Sequence, residues 1–355
     1  MEKKSIQRIK WLDVIRSLAI MCVVMCHSVE GVIYSFHLQP IHSLSLLSKL
    51  FAFTAFSIGR LGVPFFLMIT GYLLLDRQYE DNECKYFWKN KWLGLFITIS
   101  IWTVIYNIFL NKFNGYEVSL DFVIHEIFLL KASPINHMWY MPMILGMYLT
   151  LPIVANALKT VEAKTLLFPY IVIFAFVFGV PTINVILRIL KEETWCIIMS
   201  MGFSGGEYGI YLLTGYFLKK EIFKSIQKNV LSFIAGVSFV ACVFIQLYAY
   251  SYNIEYNILY NNLFLIICAI CCFELLSRIK KIYFQKVVSL LSKYAFAIYL
   301  IHNPIVFILK RYTDIIGSKP LRVIFVWTVA MLGSIVISCL INKIPKLGKV
   351  ILYMK

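Results

Sequence analysis

Trp11-Leu-Asp-Val-Ile-Arg-Ser-Leu-Ala-Ile-Met-Cys-Val-Val-Met-Cys-His-Ser-Val-Glu-Gly-Val-Ile33 is long and apolar enough to cross a bilayer, yet Asp13, Arg16 and His27 interrupt it. Eleven residues separate Arg16 from His27. At about 100° per residue that is three turns plus about 20°, so the two side chains share one helix face, with Asp13 on the same stripe. At 1.5 Å rise per residue they stand about 16 Å apart, roughly half of a hydrocarbon core about 30 Å thick. Ionisable groups at such depth are costly and mark a bundle interior or wet cavity, so the stripe is a candidate functional site.

The rest of the chain has the same character. Its 355 residues are 60% hydrophobic and only 15% charged, a balance that excludes an ordinary soluble protein. Apolar runs of about 20 residues bounded by polar or basic segments occur at roughly 11–33, 51–75, 92–111, 138–157, 165–187, 203–218, 229–250, 258–276, 287–309 and 321–341. The fold class expected is all-α, a polytopic membrane helix bundle of about ten transmembrane helices, forming one integral membrane domain over 1–355. The amino-terminal Met-Glu-Lys-Lys resembles a signal-peptide n-region, but the following run is long, interrupted by charge and without a small-residue cleavage site, so it reads as a retained first span.

The net charge of +16 arises from lysines and arginines in short clusters between apolar runs, where lipid headgroups and not nucleic acid are the expected partners. Placing both termini in the cytoplasm puts the larger share of these basic residues inside, with the loop around Lys310, Arg311, Lys319 and Arg322 as the exception. Asp13 and Arg16 then lie near the cytoplasmic mouth and His27 past the midplane. His37, His42, His125, His137 and His302 also fall towards the outer side. Acidic residues are sparse there and no histidine pair has helical i, i+4 spacing, so no metal site is expected. Most of the nine cysteines lie within apolar runs, which implies buried thiols and no disulfide framework. Asp121-Phe-Val-Ile-His-Glu-Ile-Phe-Leu-Leu130 is amphipathic and too short to span, as expected of an interfacial segment that is a packed loop helix or, as the less favoured alternative, a substrate-binding lid.

A histidine near the midplane can serve as general base towards a hydroxyl or as a nucleophile that forms an acyl-imidazole; the structural alternative is a histidine hydrogen-bonded within the bundle. Arg16 needs anionic partners, of which Asp13 is one and a phosphate-bearing ligand from the cytoplasm is another. Arg60 lies beside Gly59, Gly62 and Pro64, which loosen the backbone; it either lines a cavity at a helix break or snorkels to the outer interface.

Four stretches, in order along the chain, carry a resemblance to the acyltransferase 3 family of membrane acyltransferases. They are Trp11 to Ile20 with His27, Gly62-Val-Pro-Phe-Phe-Leu-Met-Ile-Thr-Gly-Tyr72, His137-Met-Trp-Tyr-Met-Pro142, and Tyr294-Ala-Phe-Ala-Ile-Tyr-Leu-Ile-His-Asn-Pro304. Gly209-Ile-Tyr-Leu-Leu-Thr-Gly-Tyr216 also fits. Thr70 stands where a serine is common, and Asn303 separates His302 from Pro304. The resemblance implies that His27 and Arg16 are catalytic, with Asp13 supporting the donor side. It implies acetyl-CoA or a similar acyl-CoA as donor substrate, with no permanently bound cofactor, and a glycan or lipid-linked saccharide as acceptor. Arg60, Thr70, His137, Trp139, Tyr140 and His302 are then expected to bind the acceptor or line its cavity. Trp139 and Tyr140 suit either stacking on sugar rings or an interfacial aromatic belt. The expected setting is the bacterial cytoplasmic membrane. The other function compatible with ten helices around a polar cavity is a transporter or flippase of a glycan or lipid-linked intermediate. No extra hydrolase-like domain of the kind some members carry is expected after the last span, so a second transfer is expected to need another protein.

Overall fold

A computed structural model describes residues 9–33, 41–115, 119–133, 135–199, 202, 205–344 and 346–354. The start of the presumed n-region and His37 lie outside them. The described residues contain helices and no strands. Helix α1 is Lys10–Val32; α2, Leu46–Arg60, and α3, Gly62–Leu74, meet at Leu61. Asp81–Phe87 (α4) runs through a π-helical turn, Trp88–Trp92, into Leu93–Asn114 (α5). The short Leu120–Ile127 (α6) follows, then a 3-10 turn, Asn136–Trp139, and Tyr140–Leu158 (α7). Leu167–Phe174 (α8) and Val180–Leu190 (α9) are joined by the π-helical turn Ala175–Gly179. The remainder is Gly206–Lys219 (α10), Lys228–Ser251 (α11), Leu263–Ser277 (α12), Gln285–Tyr312 (α13), Lys319–Asn342 (α14) and Leu347–Ile351 (α15).

All ten expected runs carry helix. Eight of the resulting segments are long and apolar enough to cross a membrane. The other two, α10 with 14 residues and α12 with 15, reach only about 21–23 Å at 1.5 Å per residue. The α12 run starts later than hydropathy suggests because Asn262 caps it, its Oδ1 accepting from the backbone of Phe264 and Leu265. An exposed stripe of Phe233, Val237, Val240 and Phe244 runs down α11, and Leu332, Val336 and Leu340 do the same on α14. Such stripes at helical spacing are the surface a lipid solvent accepts. The chain is a multi-pass membrane protein.

Helix α1 lies at the centre, in contact with α2, α3, α12, α13 and α14. Two glycines let it approach the α2–α3 junction. A Cβ on Gly59 would stand 2.6 Å from the Cys26 backbone nitrogen, and one on Gly62 would stand 2.6 Å from the Ala19 carbonyl oxygen. These glycines serve close helix approach, and not the backbone looseness expected of them from sequence. Pro64 falls in the first turn of α3, where no intrahelical donor is lost. A second crossing seats the short α10: a Cβ on Gly71 would lie 1.9 Å from the Leu212 oxygen, and one on Gly215 would lie 2.1 Å from that of Met68.

The basic segments meet at one end of the bundle. Asp76 binds Lys159 and Lys220, each at 2.6 Å. Arg278 donates to the Phe223 and Ile226 carbonyls, and the Tyr353 hydroxyl to the Lys91 carbonyl. Trp11, at the start of α1, packs edge-on against Tyr72 at 5.1 Å. Partial burial alone raises the Asp76 carboxyl, but the hydrogen bonds and charges of Lys159 and Lys220 outweigh it and hold the group below the usual carboxylate range.

Candidate active site

Helices α1 and α13 run parallel in matched register. The Ser17 hydroxyl on α1 lies 2.9 Å from the Val288 carbonyl of α13 and 2.7 Å from the Asp13 carbonyl of its own helix, Arg16 meets Ser292, the His27 and His302 rings stand 5.3 Å apart, and a Cβ on Gly31 would touch Val306 at 3.0 Å. Two polar nodes therefore occur along one seam, separated by about 16 Å of helix.

The first node is built on Arg16. Its Nη1 lies 3.0 Å from Ser292 Oγ and 3.3 Å from Asp13 Oδ1, and Ser292 Oγ donates to the same carboxylate oxygen at 2.6 Å. Asp13 is buried, whereas the Arg16 side chain keeps 30% of its surface. The pair neutralises the arginine, and Ser292 supplies the extra hydrogen bond that a desolvated pair requires. The exposed part of Arg16 lines a cavity of about 320 Å³ together with Thr70, Tyr140, Tyr148, Lys293 and Tyr299. The Thr70 hydroxyl donates to the Phe66 carbonyl at 2.9 Å, one turn back.

The second node is built on His27. Its Nδ1 lies 2.7 Å from Glu30 Oε2, one turn further along α1. The other carboxylate oxygen of Glu30 faces Arg60 Nη2 at 3.5 Å. Arg60 closes α2 and points into the bundle, its guanidinium over Phe56 at 4.6 Å and Tyr260 at 4.8 Å. It lines the interior and does not snorkel outwards. A carboxylate that accepts from Nδ1 holds the ring in one orientation and tautomer, with Nε2 as the nitrogen available for chemistry.

His137 and His302 complete this node. Their rings are 5.3 Å apart, and the His137 ring is 5.8 Å from that of His27. His137 sits on the 3-10 turn before α7, held by its backbone carbonyl, which accepts from the Tyr299 hydroxyl, and by its Nε2, 3.0 Å from the Tyr106 hydroxyl. Tyr106 itself donates to the Leu300 carbonyl. His302 Nδ1 is 3.0 Å from the Ile298 carbonyl. Both rings are buried. His125, by contrast, pairs with Asp121 at the surface, and His42 lies near Tyr250. Among the described residues, no group of three or more His, Cys, Asp or Glu is arranged to hold a metal ion.

Trp139 and Tyr140, adjacent in sequence and edge-on to each other at 6.0 Å, line different spaces. Trp139 packs on Tyr208 at 5.4 Å and Tyr260 at 5.5 Å, forming an aromatic floor that continues to Arg60. Tyr140 faces the Arg16 cavity instead, 5.8 Å from Tyr299. Since Tyr299 also touches His137 and His302, at 5.3 Å and 6.0 Å, these two tyrosines form the cavity wall nearest the histidines.

Sequence reasoning passes over Glu30, Ser292, Tyr106, Tyr260 and Tyr299. Glu30 was within reach, three residues after His27, the spacing at which helix neighbours meet. Ser292 stands ten residues before His302, nearly the interval between Arg16 and His27, which is a signal visible only once α1 and α13 are known to be parallel neighbours. The chain from residue 9 to residue 343 matches a family model described as an acyltransferase domain. No curated protein and no solved structure matches it.

Proposed function

This chain belongs to the acyltransferase 3 family and is a membrane acyltransferase, and on that premise we propose that it moves an acetyl or other short acyl group from cytoplasmic acyl-CoA to a hydroxyl of a cell-surface or lipid-linked glycan. The observation that carries the proposal is the seam of α1 and α13, which sets a guanidinium on a cavity at one node and a carboxylate-oriented histidine at the other. In this reading the membrane is the bacterial cytoplasmic membrane, with the basic end of the bundle inside.

The donor's anionic nucleotide meets the basic end, its slender arm occupies the cavity beside Arg16, and the thioester lies past Tyr140 and Tyr299 at the histidines. His27 Nε2 takes the proton of the acceptor hydroxyl as its oxygen attacks the thioester carbonyl carbon. The carbon–sulfur bond breaks, and the departing CoA thiolate recovers the proton from the imidazolium. Glu30 holds Nδ1–H throughout and stabilises the transient cation, the task of the third member in nucleophile–base–carboxylate arrangements. Arg60, fixed by Glu30 and Tyr260, keeps that carboxylate in place. The aromatic floor of Trp139, Tyr208 and Tyr260 offers faces on which a sugar ring stacks.

The test is acetyl transfer from radiolabelled acetyl-CoA by the purified full-length protein in detergent. His27→Ala and Arg16→Ala should each abolish transfer while the protein remains folded and expressed. Full transfer by both variants overturns the proposal. Surface glycan that reaches the outside only when the protein is present, but without an added acyl mass, points to transport instead.

A further inference from the structure

His137 and His302 keep nitrogen lone pairs that no hydrogen atom of the described residues satisfies, and the buried Arg60 Nε–H of the same node is likewise without a partner among them. The hydrogen of the Tyr106 hydroxyl goes to the Leu300 carbonyl, which has none to give in return. The 3.0 Å contact between Tyr106 Oη and His137 Nε2 is therefore made with the proton on the nitrogen. In the neutral ring, His137 Nδ1 is then a bare acceptor. The same reasoning applies to His302: Nδ1 faces the Ile298 carbonyl and must donate, so Nε2 is a bare acceptor. These two atoms, His137 Nδ1 and His302 Nε2, are the ones on their rings that are buried with no hydrogen-bond partner in the protein. His27 follows the same pattern, with Nδ1–H on Glu30 and its lone pair on Nε2. Three rings 5.3 to 5.8 Å apart thus each keep a bare acceptor, their N–H groups being spent on Glu30, Tyr106 and the Ile298 carbonyl.

Resting on the acyl-transfer reading above, we infer that His137 and His302 are acceptor-positioning residues that select a substrate presenting neighbouring hydroxyls, a vicinal diol. One hydroxyl is deprotonated by His27 while the adjacent hydroxyl donates to the lone pair of His302 or His137. A lone hydroxyl leaves both of these buried acceptors unpaired, one more than the diol does. A neighbouring ether oxygen does worse, because it brings a second lone pair against the first. A saccharide with an unsubstituted diol fits, and one already acylated or methylated at the neighbouring position does not. The site is therefore self-limiting: one transfer to a diol removes the donor that a second transfer at the adjacent oxygen requires.

The experiment compares cis-1,2-cyclohexanediol, its monomethyl ether and cyclohexanol as probes of the full-length protein in detergent. Acetyl transfer is one readout, and probe-dependent elevation of the unfolding midpoint is a second that needs no chemistry. Leaving one buried acceptor unpaired corresponds to a loss of about 5- to 150-fold in preference for the mono-ol over the diol, with the ether no better than the mono-ol. His302→Leu should shrink the difference between diol and mono-ol, and His302→Leu combined with His137→Leu should erase it. His302→Gln, whose amide oxygen reaches towards the position of Nε2, should restore it, which a merely structural role would not do. Equal response to diol and ether in both readouts overturns the inference and leaves acyl transfer standing. Absence of all transfer with a diol-specific midpoint shift sustains the inference and counts against the transfer reading. One equivalent of zinc per chain that survives dialysis against EDTA and is lost in His302→Leu also overturns it, by assigning the lone pairs to a metal.

Discussion

Replacing Glu30 with glutamine keeps the shape of the side chain and removes its charge, and the consequences for His27 and Arg60 can be worked out separately. Glutamine offers Nδ1 either a weaker neutral acceptor or an amide N–H. In the second case the imidazole proton moves to Nε2, the nitrogen that has to be bare to receive a proton from the hydroxyl. A hydrogen bond to a charged group contributes about 1.5–3 kcal/mol net, which corresponds to about 10- to 150-fold in kcat, and a tautomer reversal costs more. Arg60 at the same time loses its carboxylate. The guanidinium retains 14% of its side-chain surface, so the cost to stability falls below the 3–5 kcal/mol estimated for a fully buried orphan charge, at about 1–3 kcal/mol. The double variant Glu30→Gln, Arg60→Gln removes both charges; it should recover most of the unfolding midpoint and none of the activity. Acetyl transfer and thermal unfolding in the same detergent measure the two quantities. Glu30→Gln at wild-type kcat with an unchanged pH–rate profile would refute the role of the carboxylate, and recovery of activity in the double variant would show that only folding was at stake.

Ser292→Ala frees Arg16 from one of its partners and should raise KM for acetyl-CoA by about 2- to 10-fold with little change in kcat, measured by donor titration at saturating acceptor. Gly71→Ala and Gly215→Ala drive a methyl into backbone oxygens at 1.9 and 2.1 Å, so both should lower the unfolding midpoint by the equivalent of at least about 1–3 kcal/mol. Gly146→Ala, with nothing within 4 Å, should leave it unchanged or raise it. Asp76 has its pKa lowered in the folded protein, so its contribution is present above the ordinary carboxylate value of about 4 and is lost as pH falls through the folded value. Lys220, raised chiefly by its hydrogen bond to Asp76, loses its share only as pH rises through its own folded value. Asp76→Asn should therefore cost about 0.5–1 kcal/mol at neutral pH, and the difference from wild type should shrink in acid unfolding curves below about pH 4.

The helical architecture was legible because membrane spans are set by length and apolarity alone, and all ten runs carry helix. What hydropathy does not encode is how closely helices approach. The break at Leu61 follows from Gly59, Gly62 and Pro64, but that the glycines serve contact with Cys26 and Ala19 depends on a helix that lies more than thirty residues away in the sequence. The Asp13, Arg16 and His27 stripe was legible from periodicity, and the structure places it along one seam. His137 and His302 reach His27 from a 3-10 turn and from α13, a meeting that no local pattern encodes. That Trp139 and Tyr140 line different spaces while their rings touch edge-on depends on the junction of the 3-10 turn with α7, which the sequence motif does not reveal.

The seam also sets a schedule for biogenesis. Arg16 meets Ser292 across 276 residues of chain, which at 5–20 residues per second takes about 15–55 s to synthesise. Throughout that interval α1 resides in the bilayer without the helix that later clasps it. Asp13 is three residues from Arg16 and can neutralise it as soon as the first turns form, so the aspartate acts as an escort that lets a charged helix enter lipid before its permanent partner exists. The stripe is written early in the chain, and its seam closes only once Ser292 has been made.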